Sequence, residues 1–344
     1  MTAYAQQVSR QNGVLKPLAL YLATASAWLS LIFAVNSLAV YAFDLPGLNG
    51  FLVGFGLQLD AGVAPESTMM WVVATIQAIS YPLAIIIPLR SVGAYGHDQL
   101  VARAAGLGNV AAYIVSAAFF ATFFIGLIDA IISFVRVENM LVALVGPDLG
   151  TNLGRATFRG MWVHVPLILL GCVIAAANRG PHFVWLATLV VIAELLIVIS
   201  RFVFSYEQAF MGDLVRFWYA ALFLFASAYT LIHEGHVRVD VFYAGMSERN
   251  KARTNILGSL FLGIPLCWVI LARGMSNSSS SISSPLVNFE ISQSGSGMFV
   301  KYLMAGFLLI FVLSMLFQFA AFVAEYLRRF EEGFEIDTDH HENL

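Results

Sequence analysis

Two acid–base pairs stand inside long apolar runs: Asp129 with Arg136, and Glu194 with Arg201, each pair seven residues apart. An ionisable group in hydrocarbon is costly and is a functional candidate for that reason. Seven residues are two helical turns, about 10 Å of rise, so each pair shares a face but touches only if both side chains reach. Two uses fit such groups. One is a polar path for an ion or a substrate; the other, commoner, is pairing with each other, with a neighbouring helix or with another subunit. His164 is isolated in a third apolar run, where a helix-contact histidine is commoner than a metal ligand. His233-Glu234-Gly235-His236 lacks the HExxH spacing of zinc proteases and brings no further ligand, so no metal site is expected. No nucleophile–base set and no Gly-rich phosphate loop before a helix is evident. The sequence therefore offers no catalytic residue and little support for an enzyme.

The elements that must position these groups are membrane helices. The chain has 344 residues, 59% hydrophobic and 11% charged, with a mean hydropathy of +0.80. A soluble domain is about a quarter charged. A net charge of −3 argues for no nucleic-acid partner. Cys172 and Cys267 each lie in an apolar run and read as small buried hydrophobes. Near the start, Arg10 and Lys16 followed by LALYLATASA imitate a secretory signal. The apolar run continues through Phe43, beyond the roughly 7–15 residues of a signal core, so an uncleaved spanning helix is expected.

Eight stretches reach the ~20 apolar residues that a span needs: 17–43, 68–89, 109–135, 161–177, 183–204, 214–232, 254–272 and 299–327. The expected fold is an all-α integral membrane protein of about eight transmembrane helices. Lys and Arg set the orientation. With the N-terminus inside, the cytoplasmic side holds Arg10, Lys16, Arg90, Arg103, Arg179, Arg238, Arg249, Lys251, Arg253, Arg328 and Arg329. The other side holds Arg136, Arg155, Arg159, Arg273 and Lys301. Both termini are expected to be cytoplasmic. The external loop 273–298 contains the Ser-rich MSNSSSSISS and reads as mobile, and residues 331–344 read as an acidic, disordered tail.

One charged string stands out between the sixth and seventh spans: Gly235-His236-Val237-Arg238-Val239-Asp240. As a generic loop it would be a positive-inside anchor lying at the membrane surface. Its surroundings, FLFASAYTLIHEGHVRVDVFYAGMSERNKARTNILGSLFLGIPL, resemble the small membrane subunit of tripartite ATP-independent periplasmic (TRAP) transporters, the DctQ-type family. That family is similar in placing a Gly-His-Val/Ile-Arg-Val-Asp element after the second helix of a four-helix unit. Arg201 before Phe202 resembles the end of the family's first helix. Asp213, followed by Arg216 and Trp218, stands where the family often opens its second helix with Trp and Glu. Glu290 and Ser292 resemble an E-x-S element of one branch.

The resemblance covers residues 183–330 and leaves 1–182 as an additional N-terminal membrane region of about four helices. It implies a helper subunit that braces a large elevator-type permease during uptake of an organic acid delivered by a periplasmic binding protein. The large subunit would hold the substrate and the coupling ion, usually sodium, so neither cofactor nor substrate-binding residue is expected here. Gly235, His236, Arg238, Asp240, Arg201, Asp213, Arg216 and Trp218 become candidates for contact with the partner or with lipid headgroups. The resemblance also implies a bacterial inner-membrane location. A self-sufficient transporter or channel using Asp129, Glu194 and Arg201 is the alternative. Pro82, Pro166 and Pro265 make no paired pattern of broken spans, which favours the helper. Gly96-His97 after the second span echoes Gly235-His236, and the first four spans are either a decayed copy of the second four or an added domain.

Overall fold

The structure is a computed structural model that describes residues 2–57, 59, 62–90, 96–178, 183–232, 243–292 and 295–342. Among these residues every regular element is helical, as apolar runs in lipid require. Eight helices are long and apolar enough to cross a membrane: Leu15–Phe43, Thr68–Leu89, His97–Val137, Ala156–Ala177, Val184–Phe204, Ala209–Ser227, Glu248–Gly274 and Lys301–Glu332. The chain is a multi-pass membrane protein.

In chain order the helices are α1 (Thr2–Phe43), α2 (Gly47–Gly54), α3 (Thr68–Arg90) and α4 (His97–Val137). Short α5 (Leu141–Val145) and α6 (Pro147–Leu153) precede α7 (Ala156–Ala177), α8 (Phe183–Phe204) and α9 (Ala209–Ile232). The chain ends with α10 (Glu248–Gly274), α11 (Ser283–Asn288) and α12 (Lys301–Glu342). Helix α12 runs to Glu342. The Ser-rich loop forms turns and α11, with Met275, Ile282 and Ser283 buried.

The residues group into two compact units. The first takes 1–111, 234–276 and 312–344. In it α1 packs on α3 and α10. Leu20, Ala23, Ala27, Ser30 and Ala34 are buried at helical spacing, so the small residues that imitate a cleavage site form a packing stripe. Asn36 Nδ2 donates to Ser80 Oγ at 3.0 Å, the Gly47 amide donates to Gln77 Oε1 at 2.9 Å, and Trp268 Nε1 donates to Ser26 Oγ at 2.6 Å.

The second unit takes 112–233 and 277–311. Its core is aromatic: Phe119 and Ile125 from α4, Leu186 and Ala193 from α8, Phe217, Trp218 and Phe225 from α9, and Phe307 from α12. Phe307 meets Phe217 and Phe225 with ring centroids 5.1 and 5.0 Å apart. Gly126 lets the Trp218 indole lie against α4, where a Cβ would fall 2.4 Å from Nε1, and Nε1 donates to the Thr122 carbonyl at 3.2 Å. Trp218→Phe keeps most of the packing and removes that hydrogen bond, leaving the Thr122 carbonyl with its helical partner alone. It should cost about 1 kcal/mol, read as a lower unfolding temperature in detergent.

Candidate functional site

The second unit holds a charge network, and a local distortion of α7 builds it. Pro166 has no N–H, and in regular α-helix its ring would collide with the Trp162 carbonyl. The turn before it, Gly160–His164, is a π-helix. Residues five apart in α-helix point about 140° away from each other. A π turn bonds i to i+5 and brings them over one another. Arg159 and His164 therefore both reach Asp129, which α4 supplies. Arg159 Nη1 donates to Asp129 Oδ1 at 2.8 Å, and His164 Nε2 lies 3.1 Å from the same oxygen. The bare Gly160 lets the Phe289 ring press on this turn, where a Cβ would fall 2.3 Å from ring carbons.

Further polar contacts surround that centre. An ionised carboxylate only accepts, so His164 Nε2 donates to it and Nδ1 accepts from the Tyr302 hydroxyl at 2.7 Å. Arg159 Nη1 also donates to Ser133 Oγ at 3.0 Å, while its Nε and Nη2 donate to the Leu153 carbonyl at 3.1 and 2.9 Å. Asp129 Oδ2 accepts the Phe299 amide at 2.9 Å. The Phe299 ring lies between two guanidiniums, 4.1 Å from Arg159 and 4.5 Å from Arg136 to its centroid. Arg136 Nη2 donates to the Gly297 carbonyl at 2.6 Å, and the Met298 amide donates to Asp213 Oδ2 at 3.0 Å. Asp129, Ser133, Arg159 and His164 are wholly buried. With Asp129 and Arg159 neutralising each other, the set acts as a clasp that fixes the segment entering α12.

The sequence-derived sites fall in several places. Neither seven-residue pair forms, because two turns is too far: Asp129 takes Arg159, and Arg136 takes a carbonyl. Arg201 instead pairs with Glu207 at 3.4 Å, both exposed. Glu194 lies exposed on α8. Among the described residues no bond joins Asp129 to Glu194 or Arg201. Asp213 holds Arg216 Nη1 at 3.3 Å as well as the Met298 amide, and Arg216 is 75% exposed. Trp218 is buried in the core. Gly235, His236, Arg238 and Asp240 lie outside the described residues. Sequence reading missed Arg159, Ser133, Phe299 and Tyr302. Arg159 falls outside the expected span 161–177, but α7 starts at Ala156 and takes it in.

Outside the spans, Tyr206 donates its hydroxyl to Glu138 Oε1 at 2.6 Å. Burial, then this bond and the nearby carboxylate charge, push its phenol up to about 12. The neutral phenol is the favoured form in the folded chain. This contact therefore contributes stability below the ordinary tyrosine range, and that contribution is lost as pH rises through about 12. In a spectrophotometric titration, Tyr206→Phe should remove one tyrosine's share of the late-deprotonating absorbance.

The family described as tripartite ATP-independent periplasmic transporters, DctQ component, matches residues 187–331. The matched stretch runs from the second turn of α8 into α12. No curated protein and no solved structure matches the chain. Asp213, Phe299 and Tyr302 lie inside the match, and Asp129, Arg159 and His164 precede it, so the clasp ties earlier helices to the matched stretch. Over residues 187–331, then, the chain is similar to the DctQ component of tripartite ATP-independent periplasmic transporters.

Proposed function

We propose that the chain is the small membrane subunit of a TRAP transporter. In this reading it sits in the bacterial inner membrane with both termini cytoplasmic and braces a large elevator-type permease. A periplasmic binding protein delivers an organic acid, and a coupling ion, sodium by resemblance, binds in the large subunit. The observation that carries the proposal is the family match over residues 187–331. The clasp supports it physically. A moving carrier needs a stationary frame, and Asp129, Arg159 and His164 are spent on one another rather than left open to a substrate. Arg238 and Asp240 are proposed to meet the partner or lipid phosphate, and Arg201, Arg216 and the neighbouring Asp213 extend that set of contacts.

The test is detergent purification of the tagged chain from its native membrane, with mass spectrometry of what co-purifies. A stoichiometric large membrane subunit is expected, and reversing the charges at Arg238 and Asp240 together should reduce its recovery. A chain that purifies alone and moves an organic acid in liposomes overturns the reading in favour of a self-sufficient carrier.

A further inference from the structure

Helix α8 is unlike the other spans. Only 11% of its apolar window is buried, against 72% for the window of α12. One side, with Leu186, Leu189, Val190 and Ala193, packs into the core of its unit. The rest of its circumference is bare, including Val191, Leu195 and Phe202 at 66%, 56% and 78% exposure. Glu194 stands on this bare part. It is the midpoint of the Val184–Phe204 span, about 15 Å from either end by helical rise, which is the middle of a hydrocarbon layer about 30 Å thick. A glutamate side chain is far too short to reach water from there. Lipid tails supply no hydrogen-bond donor at that depth, and the chain itself gives Glu194 no partner among the described residues.

We propose that the bare face of α8 is the docking surface for a transmembrane helix of the large permease subunit, and that this helix presents a donor to Glu194 at mid-membrane depth. The donor chemistry is a guanidinium, ammonium, imidazole or amide. This inference rests on the reading of the chain as a TRAP small subunit. A second copy of the chain is the disfavoured occupant, because a two-fold contact centred on this face sets Glu194 against Glu194, and like carboxylates repel. Partner burial converts the exposed carboxylate from a cost into a register pin: one charge at one depth fixes how the two helices slide past each other.

The experiment co-expresses the full chain with the large subunit. It places a photoreactive benzophenone side chain at Val191 or Val198, and separately tests Glu194→Leu and Glu194→Gln. The probe should crosslink to the large subunit. Glu194→Leu leaves the partner's donor buried and unpaired, so it should lower recovery of the large subunit about tenfold or more. Glu194→Gln keeps a hydrogen bond and should lose less. The Val191 and Val198 probes leave Glu194 intact, and gel filtration of each variant guards against misfolding. If the wild-type chain recovers the large subunit while Glu194→Leu recovers it equally and the probes label no protein, the docking face is wrong and the subunit reading stands. Crosslinks between two copies of the chain also overturn the proposal. If the wild-type chain recovers no large subunit, the subunit reading falls and takes this inference with it.

Discussion

Asp129→Leu, with Arg159 left in place, should destabilise the chain by about 3–5 kcal/mol, the cost of leaving a buried charge without its partner. The magnitude follows from the geometry. Arg159 is wholly enclosed and has no route to water, and its remaining bonds, to Ser133 and the Leu153 carbonyl, are to neutral groups. The Phe299 amide loses its acceptor in the same step. A drop in thermal stability, followed by fluorescence-detected gel filtration in detergent, is the measurement. The double variant Asp129→Leu with Arg159→Met should recover much of the loss, because an apolar pair of similar volume removes both desolvation costs. If the single variant unfolds no earlier than the wild type, the clasp does not hold the fold. If the double variant is worse than the single, the ion pair is itself stabilising rather than merely satisfied.

Gly171→Leu should be comparably severe, at about 3 kcal/mol, for a steric reason. Helix α7 lies directly on the backbone of α4 at this point. A Cβ on Gly171 would fall 2.7 Å from the Ala121 nitrogen and 3.0 Å from the Ala117 carbonyl oxygen. Those are main-chain atoms of a helix and cannot swing aside, so α7 must move as a body. The same two helices hold the 2.8 Å bond between Arg159 and Asp129, and Tyr113 on α4 donates to the Cys172 carbonyl at 3.2 Å one residue beyond the glycine. A displaced α7 therefore loosens the charge network as well as the packing. Gly108→Leu is the matched control, since nothing lies within 4 Å of the position its Cβ would take. A Gly171 variant as stable as the Gly108 variant would show that the close crossing is not required.

The span count was legible because lipid leaves apolar runs one solution, and the eight expected stretches match the eight long helices. Boundaries were less legible where polar residues enter a span. Arg159 looks like loop sequence because Asn152, Gly154 and Arg155 surround it, yet α7 begins at Ala156. The need of Asp129 for a partner could be read directly. The identity of that partner could not, because the nearest basic residue on its own helix, Arg136, shares its face but lies too far along the axis. The available signal was Pro166. It distorts the preceding turn, and that distortion aligns Arg159 with His164. Pro265 stands in the same relation to the second π turn, Ser259–Gly263, where Gly263 gives way to the Phe319 ring. Nothing in the residue pattern fixed which way Glu194 faces, since apolar residues surround α8 on all sides.

The clasp also imposes an order on biosynthesis. Asp129 precedes its Arg159 and His164 partners by 30 and 35 residues, but precedes the Phe299 amide by 170. At roughly 5–20 residues per second of chain elongation, that last separation is about 10–30 s. Throughout that interval the ion pair can exist in the bilayer while one carboxylate oxygen, the Arg136 guanidinium and the His164 ring await residues still on the ribosome. The nascent protein therefore passes through a stage with its early helices inserted and their polar centre incomplete. It closes only when Gly297 to Tyr302 arrive, and a truncation ending before Gly297 should leave a chain that the cell's quality control removes.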